Sequence, residues 1–458
     1  MRCLALLLAV VAILSACGGG GGDGGGSGAT VASASGWIPG VFTPAVAFEA
    51  QCAAPRSGID SQGSTLTENN WLRSWSNDLY LWYDEIVDRD PALWTTPAYF
   101  NLLKTSATKD KFHFTVDTPT WVAFSQSGVS TGYGAEWAVI ARVPPRRVVV
   151  AFTEPNSPAT TGAANLARGA EVLMVDGVDV VNDNTPGGIA TLNAGVFPAT
   201  SGETHTFTVH DLGAPPNTTR TFTMRSDNVT QTPVQNVKTI GAVGYMLFND
   251  HIATAESGLV NAVNTLKAAN VTDLVLDIRY NGGGYLDIAN ELAFMIAGRG
   301  PTAGHTFEKL VFNAKHPTID PVTGRTLAPI PFHTTTRGFS VASGQSLPTL
   351  DLRRVFVLTG TGTCSASESI INALRGVGVE VIQVGSTTCG KPYGFYAKDN
   401  CGTTYFTIQF KGVNALGFGD YADGFSPSNT AGVVGTPVPG CSVADDFNHA
   451  LGDPAEAR

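Results

Sequence analysis

Three separated stretches of this chain carry residues that can act together on a carbonyl group. Ser365, in Cys364-Ser365-Ala366-Ser367-Glu368, opens a predicted helix just after the apolar strand Val355-Phe356-Val357-Leu358. A serine at that junction presents its hydroxyl, and the first helical N–H groups point at any anion that develops beside it. The same residues also suit a plain helix cap, with Ser365 or Ser367 as N-cap and Glu368 completing a capping box. Lys391, in Thr387-Thr388-Cys389-Gly390-Lys391-Pro392, follows the next predicted strand, Val379 to Val384. Its turn should return to the sheet end that presents Ser365, and a lysine buried there loses its proton readily enough to serve as a general base. The third stretch is Asn281-Gly282-Gly283-Gly284, where adjacent glycines at a strand end let the backbone approach a substrate carbonyl and donate N–H bonds to its oxyanion. His113, in Asp110-Lys111-Phe112-His113-Phe114-Thr115, lies between two phenylalanines, where a histidine is most often structural.

The elements that must position these groups alternate. Leu259, Val263 and Leu266 mark one helical face, Leu274-Val275-Leu276-Asp277-Ile278 reads as a buried strand, and Ile288, Leu292 and Met295 mark the helix beyond the glycines. Repeated strand-then-helix units from Val234 to about Phe425 imply an α/β core with a parallel component. Arg299 to Leu347, rich in Pro, Thr and Gly, reads as an insertion of loops and short strands. Upstream, Thr206–Val209 and Thr221–Met224 alternate polar and apolar residues around a Gly213-Ala214-Pro215-Pro216-Asn217 turn, the pattern of a half-buried antiparallel pair. From Thr65 to Thr115 the pattern is helical: Trp71, Trp75, Leu79, Trp82 and Tyr83 form an aromatic stripe, and Tyr99, Leu102 and Leu103 repeat it after Pro97.

Composition narrows the function classes. The 458 residues carry 28 Lys plus Arg against 38 Asp plus Glu, a net charge of −10, which argues against a nucleic-acid binder. With 14% charged and 43% hydrophobic residues, the chain can bury large cores. The eight histidines show no paired helical spacing and no Cys-x-x-Cys occurs, so no metal or other cofactor is expected. No phosphate-binding loop of the Gly-x-x-x-x-Gly-Lys-Ser type is present. Export is expected from the N-terminus: Arg2, an apolar run from Leu4 to Leu14, then Leu14-Ser15-Ala16-Cys17. That ending resembles the lipobox of bacterial lipoproteins, which would make Cys17 the lipidated new N-terminus. The nearly pure glycine stretch from Gly18 to Gly28 suits a flexible tether. Gly18 rather than an aspartate after Cys17 favours, by the same resemblance, the outer membrane facing the periplasm. Beyond Cys3 and Cys17 remain Cys52, Cys364, Cys389, Cys401 and Cys441, an odd number; Cys389 and Cys401, flanking an expected hairpin from Gly390 to Asn400, are the first candidates for a bridge.

Gly132-Tyr133-Gly134-Ala135, then Glu154-Pro155-Asn156-Ser157-Pro158-Ala159, then the run from Arg168 to Gly177, together resemble a PDZ domain, whose glycine-containing loop caps a peptide's terminal carboxylate and whose sheet edge accepts the peptide as a strand. Taken in order, the Trp-rich helices, this run, the Leu274 to Gly284 strand and loop, the Ser-Ala-Ser-Glu helix and the Gly-Lys turn resemble the carboxyl-terminal processing, or tail-specific, serine proteases. The resemblance implies a fold related to crotonases and Clp proteases, a Ser365–Lys391 dyad, an oxyanion hole from the N–H groups of Ala366 and Gly284, and protein or peptide substrates cut near accessible C-termini. It favours Ser365 over Ser367, because the family's usual dyad spacing is about one residue less than that from Ser365. Some relatives use a serine, histidine and glutamate set, which His113 would fit, and Glu368 can orient Lys391 or only cap the helix. Departures are Arg375-Gly376 where the family often has an acidic residue, Cys364 in place of a small residue, and Pro392 after Lys391. The expected organisation is a signal peptide (1–16), a lipid-anchored tether (17–64), a helical subdomain (65–120), an inserted PDZ-like β-rich domain (125–228), a ClpP/crotonase-like α/β core (232–445, with an insertion at 299–350) and a tail (446–458). The rival functions are a non-catalytic peptide- or ligand-binding lipoprotein on the same fold and a purely structural envelope lipoprotein.

Overall fold

The computed structural model describes residues 36–432 and 435–457; the signal run, Cys17 and the Gly18–Gly28 tether lie outside them. A six-stranded sheet organises the second half of the chain, in the order Val234–Ile240, Val243–Phe248, Asp273–Asp277, Arg354–Thr359, Glu380–Gly385, Gly440–Ser442. Its first pair is antiparallel and the others are parallel. Parallel neighbours need crossovers; the helices Ala255–Ala268, Leu286–Ala297 and Ala366–Gly376 lie on three of them, and the fourth, from Glu380–Gly385 to Gly440–Ser442, is made of short strands and loops. Both sheet faces are covered, so the strands are apolar runs: Met246, Leu274, Leu276, Val355 and Val357 are fully buried with Leu259, Leu292 and Ile370 from the helices.

A β-rich unit precedes the sheet. Its strands run in the order Arg220–Arg225, Thr204–His210, Glu171–Val175, Arg147–Thr153, Ala135–Ala141, the last at the edge. The antiparallel pair expected around Gly213–Asn217 is present, with Phe222 opposite Phe207. The helix Pro186–Val196 buries Leu192 in the core of this unit, beside Trp137 and Phe207.

The N-terminal aromatic stripe is shorter than expected. The helix Thr65–Leu79 buries Trp71, Trp75 and Leu79, but it ends there because Tyr80 turns extended (φ −60°, ψ 133°) and Leu81 donates to the Ile408 carbonyl at 2.8 Å. Trp82 and Tyr83 therefore fall outside it. Phe114–Asp117, expected at the end of a helical stretch, is instead a strand paired with Thr403–Phe406. That pairing brings Tyr405 into the tryptophan cluster, so the N-terminal helices close over the C-terminal part of the chain. The 299–350 insertion is more ordered than a loop-rich composition suggests, since Thr306–Phe312 is a seven-residue strand paired with Phe410–Val413.

The cysteine pairing differs from the expected one. Cys389 does not face Cys401: the intervening segment is not a hairpin, because Tyr393–Gly394 pairs with Phe410–Val413 while Lys398–Asn400 pairs with Thr403–Phe406. The bridges are Cys364–Cys389, with Cα atoms 5.2 Å apart, and Cys52–Cys401, with Cα atoms 5.4 Å apart; Cys441 is free and exposed. Among the described residues no helix is long and apolar enough to cross a membrane.

Candidate active site

The three chemical stretches meet at the C-terminal ends of the parallel strands, where the chain must turn and side chains are free of the ladder. Ser365 joins Arg354–Thr359 to the Ala366–Gly376 helix with φ 58° and ψ −119°. A non-glycine residue at positive φ is strained, and here the strain lifts the serine out of the strand-to-helix turn. Ser365 lines a cavity of about 290 Å³, whereas Ser367 is fully buried and its hydroxyl donates to the Asn281 carbonyl at 3.0 Å. Of the two serines, only Ser365 faces a space a substrate can enter.

The glycine loop is held against this turn from both sides. Asn281 donates through its amide nitrogen to the Phe248 carbonyl at 3.0 Å, so its side-chain oxygen is the acceptor for Gly283 N–H and for His251 Nδ1–H, both at 2.9 Å. Its backbone carbonyl accepts from Cys364 N–H at 3.1 Å. A Cβ on Gly283 would lie 2.8 Å from Ser365 Cβ, and one on Gly284, at φ +145°, would lie 2.3 Å from the His251 carbonyl oxygen. Only glycine permits that closeness. Among the described residues, neither Ala366 N–H nor Gly284 N–H has a hydrogen-bond acceptor within the protein.

Lys391 lines the same cavity and is 3% exposed. Its Nζ lies 4.0 Å from the Phe395 ring centre and 5.1 Å from that of Phe112, and no hydrogen bond joins it to Ser365. Burial pulls its pKa down to about 7, against the opposing pull of Asp110 and Glu368. The aromatic walls therefore hold an amine that is part neutral near pH 7.

Glu368 ties the two loops together. Its carboxylate, fully buried, accepts from Ser365 N–H at 3.0 Å and Lys391 N–H at 2.8 Å through one oxygen, and from Gly390 N–H at 2.9 Å and the Thr388 hydroxyl through the other. Burial pushes its pKa up, and these donors oppose the shift. The Cys364–Cys389 bridge spans the same two loops.

His113 stands apart from the cavity. It stacks on Phe100 with ring centres 3.8 Å apart, and its nitrogens engage the Phe100 carbonyl at 2.8 Å and the Thr407 hydroxyl at 3.1 Å. Burial drives its pKa down to about 4. Gly132, Tyr133, Gly134 and Ala135 line a second cavity, of about 380 Å³, and Trp121 and Phe124 of the helix Thr118–Ser127 form a wall common to both cavities. Tyr133 itself is buried, its hydroxyl donating to the Gly195 carbonyl at 3.0 Å.

Two residues that sequence reasoning passed over also line the first cavity. His251 is fully buried with Nε2 unpartnered, and burial holds its pKa down near 3, so it stays neutral. Glu308 lies on the inward face of Thr306–Phe312. A charged residue on the apolar face of an alternating strand was the signal available for Glu308.

Residues 240–394, which include Ser365 and Lys391, match peptidase family S41. Those residues thus resemble a peptidase S41 domain. Its relatives include the carboxyl-terminal-processing protease of Picosynechococcus sp., 27% identical over 270 residues. That match covers 58% of this chain and 56% of the relative, a little over half the length of each. A solved structure from Bacteroides fragilis assigned to the S41 proteases superposes with a TM-score of 0.59 at 21% identity, covering 81% of this chain and 90% of that one. The mixed α/β fold is that of S41 proteases, and the chain is related to the carboxyl-terminal processing proteases.

Proposed function

We propose that this protein is a serine endopeptidase that cuts protein or peptide chains near their C-termini, with Ser365 as nucleophile and Lys391 as general base. The observation that carries the reading is the meeting of a strained, cavity-facing serine, two N–H groups without protein acceptors and a buried amine around one pocket. The Lys391 amine swings from its aromatic walls toward Ser365, reaching it directly or through one water, and takes the hydroxyl proton as Oγ bonds to the substrate carbonyl carbon. The carbonyl oxygen, now an anion, is held by the N–H groups of Ala366 and Gly284. The C–N bond then breaks as the ammonium returns its proton to the departing amine. Water, deprotonated by the same amine, hydrolyses the acyl-serine and restores both groups. Glu368 positions both loops through their backbones. His113, with both ring nitrogens engaged outside the pocket, is structural.

The residues 125–228 are read as a PDZ-like peptide reader inserted between a helical subdomain (65–120) and a ClpP/crotonase-like core (232–445). The edge position of Ala135–Ala141 and the wall common to the two cavities support a path from the Gly132–Ala135 loop to Ser365. Lipidation at Cys17, with the tether holding the enzyme on the periplasmic face of the outer membrane, is the location proposed from the N-terminal sequence.

Ser365→Ala should abolish cleavage of an unfolded protein and labelling by a serine-reactive phosphonate while the far-UV spectrum is kept. Labelling elsewhere, or cleavage retained, overturns the dyad; a folded wild-type protein that binds peptides without labelling is a binding protein. Loss of activity in His113→Ala but not in Lys391→Ala would move the base to His113.

A further inference from the structure

The cavity that opens at Ser365 continues along the Ala366–Gly376 helix toward the strand Thr306–Phe312. On that strand Glu308, Leu310 and Phe312 share the inward face; Leu310 and Phe312 pack with Phe410, which leaves Glu308 as the charged group in an apolar row. Glu308 is 4% exposed. One oxygen accepts from the Ser369 hydroxyl at 3.3 Å. The facing strand makes room for it: a Cβ on Gly412 would lie 2.1 Å from that oxygen. Among the described residues no lysine, arginine or histidine forms an ion pair with Glu308. Burial pushes its pKa up to about 8. A buried acid that its surroundings keep protonated near neutral pH, on the wall of a reaction pocket, ionises most readily when a ligand brings a cation beside it.

Its depth relative to the nucleophile is set by the helix. Ser369 follows Ser365 by four residues, so the two lie on one face about 6 Å apart along the axis, with Glu308 a hydrogen bond beyond. With the carbonyl carbon on Ser365 Oγ and its oxygen at Ala366 N–H, the side chain of the acyl residue is the substrate group nearest that face.

We propose that Glu308 is the specificity-determining residue of this pocket and that it selects lysine or arginine immediately before the scissile bond. The inference rests on the reading of Ser365 as nucleophile. The aliphatic stem of the substrate side chain lies against Leu310, Ile330 and Phe410, and its cationic head meets the Glu308 carboxylate, a charge-assisted contact in a poorly hydrated site.

The test is digestion of a denatured, Lys- and Arg-containing protein, with new C-termini read by mass spectrometry, beside peptides that differ only in Lys, Arg, Met or Leu before the cut. Wild type should favour Lys and Arg over Met, an uncharged chain of similar length, by at least tenfold in kcat/KM, and Glu308→Gln should bring that ratio close to one. Equal or better cleavage after Met, or a ratio unchanged in Glu308→Gln, overturns the inference. Should that variant fail to fold by circular dichroism, the wild-type ratio decides alone. Phosphonate labelling of Ser365 separates the two levels: labelling and cleavage without basic preference sink only the role of Glu308, whereas neither labelling nor cleavage sinks the peptidase reading and this inference with it.

Discussion

Lys391→Met is expected to stabilise the protein while removing its activity. Lys391 is 3% exposed, and burial moves its pKa from 10.5 to about 7. Between those values the unfolded chain binds a proton that the folded one rejects, so stability rises with pH across that window, and below about pH 7 the full penalty applies. At ~1.4 kcal/mol per tenfold, the penalty is roughly 5 kcal/mol. Methionine removes it and keeps a polarisable chain between Phe112 and Phe395, losing a cation–ring attraction of about 1–2 kcal/mol. The net gain near pH 6 is therefore about 3 kcal/mol, a rise in melting temperature of roughly 3 °C for a chain of this length unfolding as one unit. The same pKa predicts that wild-type kcat/KM climbs about tenfold per pH unit below 7 and levels above it, because only the neutral amine accepts the serine proton. Thermal melts of both proteins at pH 6 and a wild-type rate profile from pH 5 to 10 check both halves. A lower melting temperature for Lys391→Met, or a rate that rises only near pH 10, would refute the argument that the pocket holds a destabilised amine.

Removing the Glu368 carboxylate by Glu368→Ala strands the N–H groups of Ser365, Gly390 and Lys391, and at about 1–3 kcal/mol per buried orphan the protein should lose about 3–9 kcal/mol in urea unfolding; an unchanged midpoint would show that those loops do not depend on it. Gly284→Ala puts a methyl group on the His251 carbonyl, so kcat/KM should fall about a hundredfold or more while phosphonate reactivity of Ser365 falls with it. Unaltered kinetics in that variant would remove Gly284 from the oxyanion hole. The double variant Cys364→Ser with Cys389→Ser opens a loop with a sequence separation of 25, and should cost about 3 kcal/mol as well as most of the peptidase rate; stability lost with full rate retained would make the bridge purely structural.

The sequence by itself determined the alternation of strands and helices in the core, because apolar periodicity and glycine breaks are local properties: Asp273–Asp277, Leu286–Ala297, Arg354–Thr359 and Ala366–Gly376 all fall where the pattern puts them. It also brought Ser365, Lys391 and Gly284 forward as candidates, since a parallel strand must release its chain at one edge and groups just past several strand ends are delivered to the same side. Local patterning carries no information on partners distant in the chain. The end of the first helix at Leu79 depends on Ile408, and the joining of Cys364 to Cys389 and of Cys52 to Cys401 depends on how two loops and two chain ends meet. Whether Ser365 or Ser367 faces the cavity was decided by the Asn281 carbonyl, and the ease with which Lys391 gives up its proton by the rings and solvent exclusion around it. His251 became visible only when folding placed it on the wall of that cavity with Nε2 unpartnered, because burial without a protein partner is a property of the surroundings and not of the residue, whereas Glu308 left a local signal, a charge on the apolar face of an alternating strand.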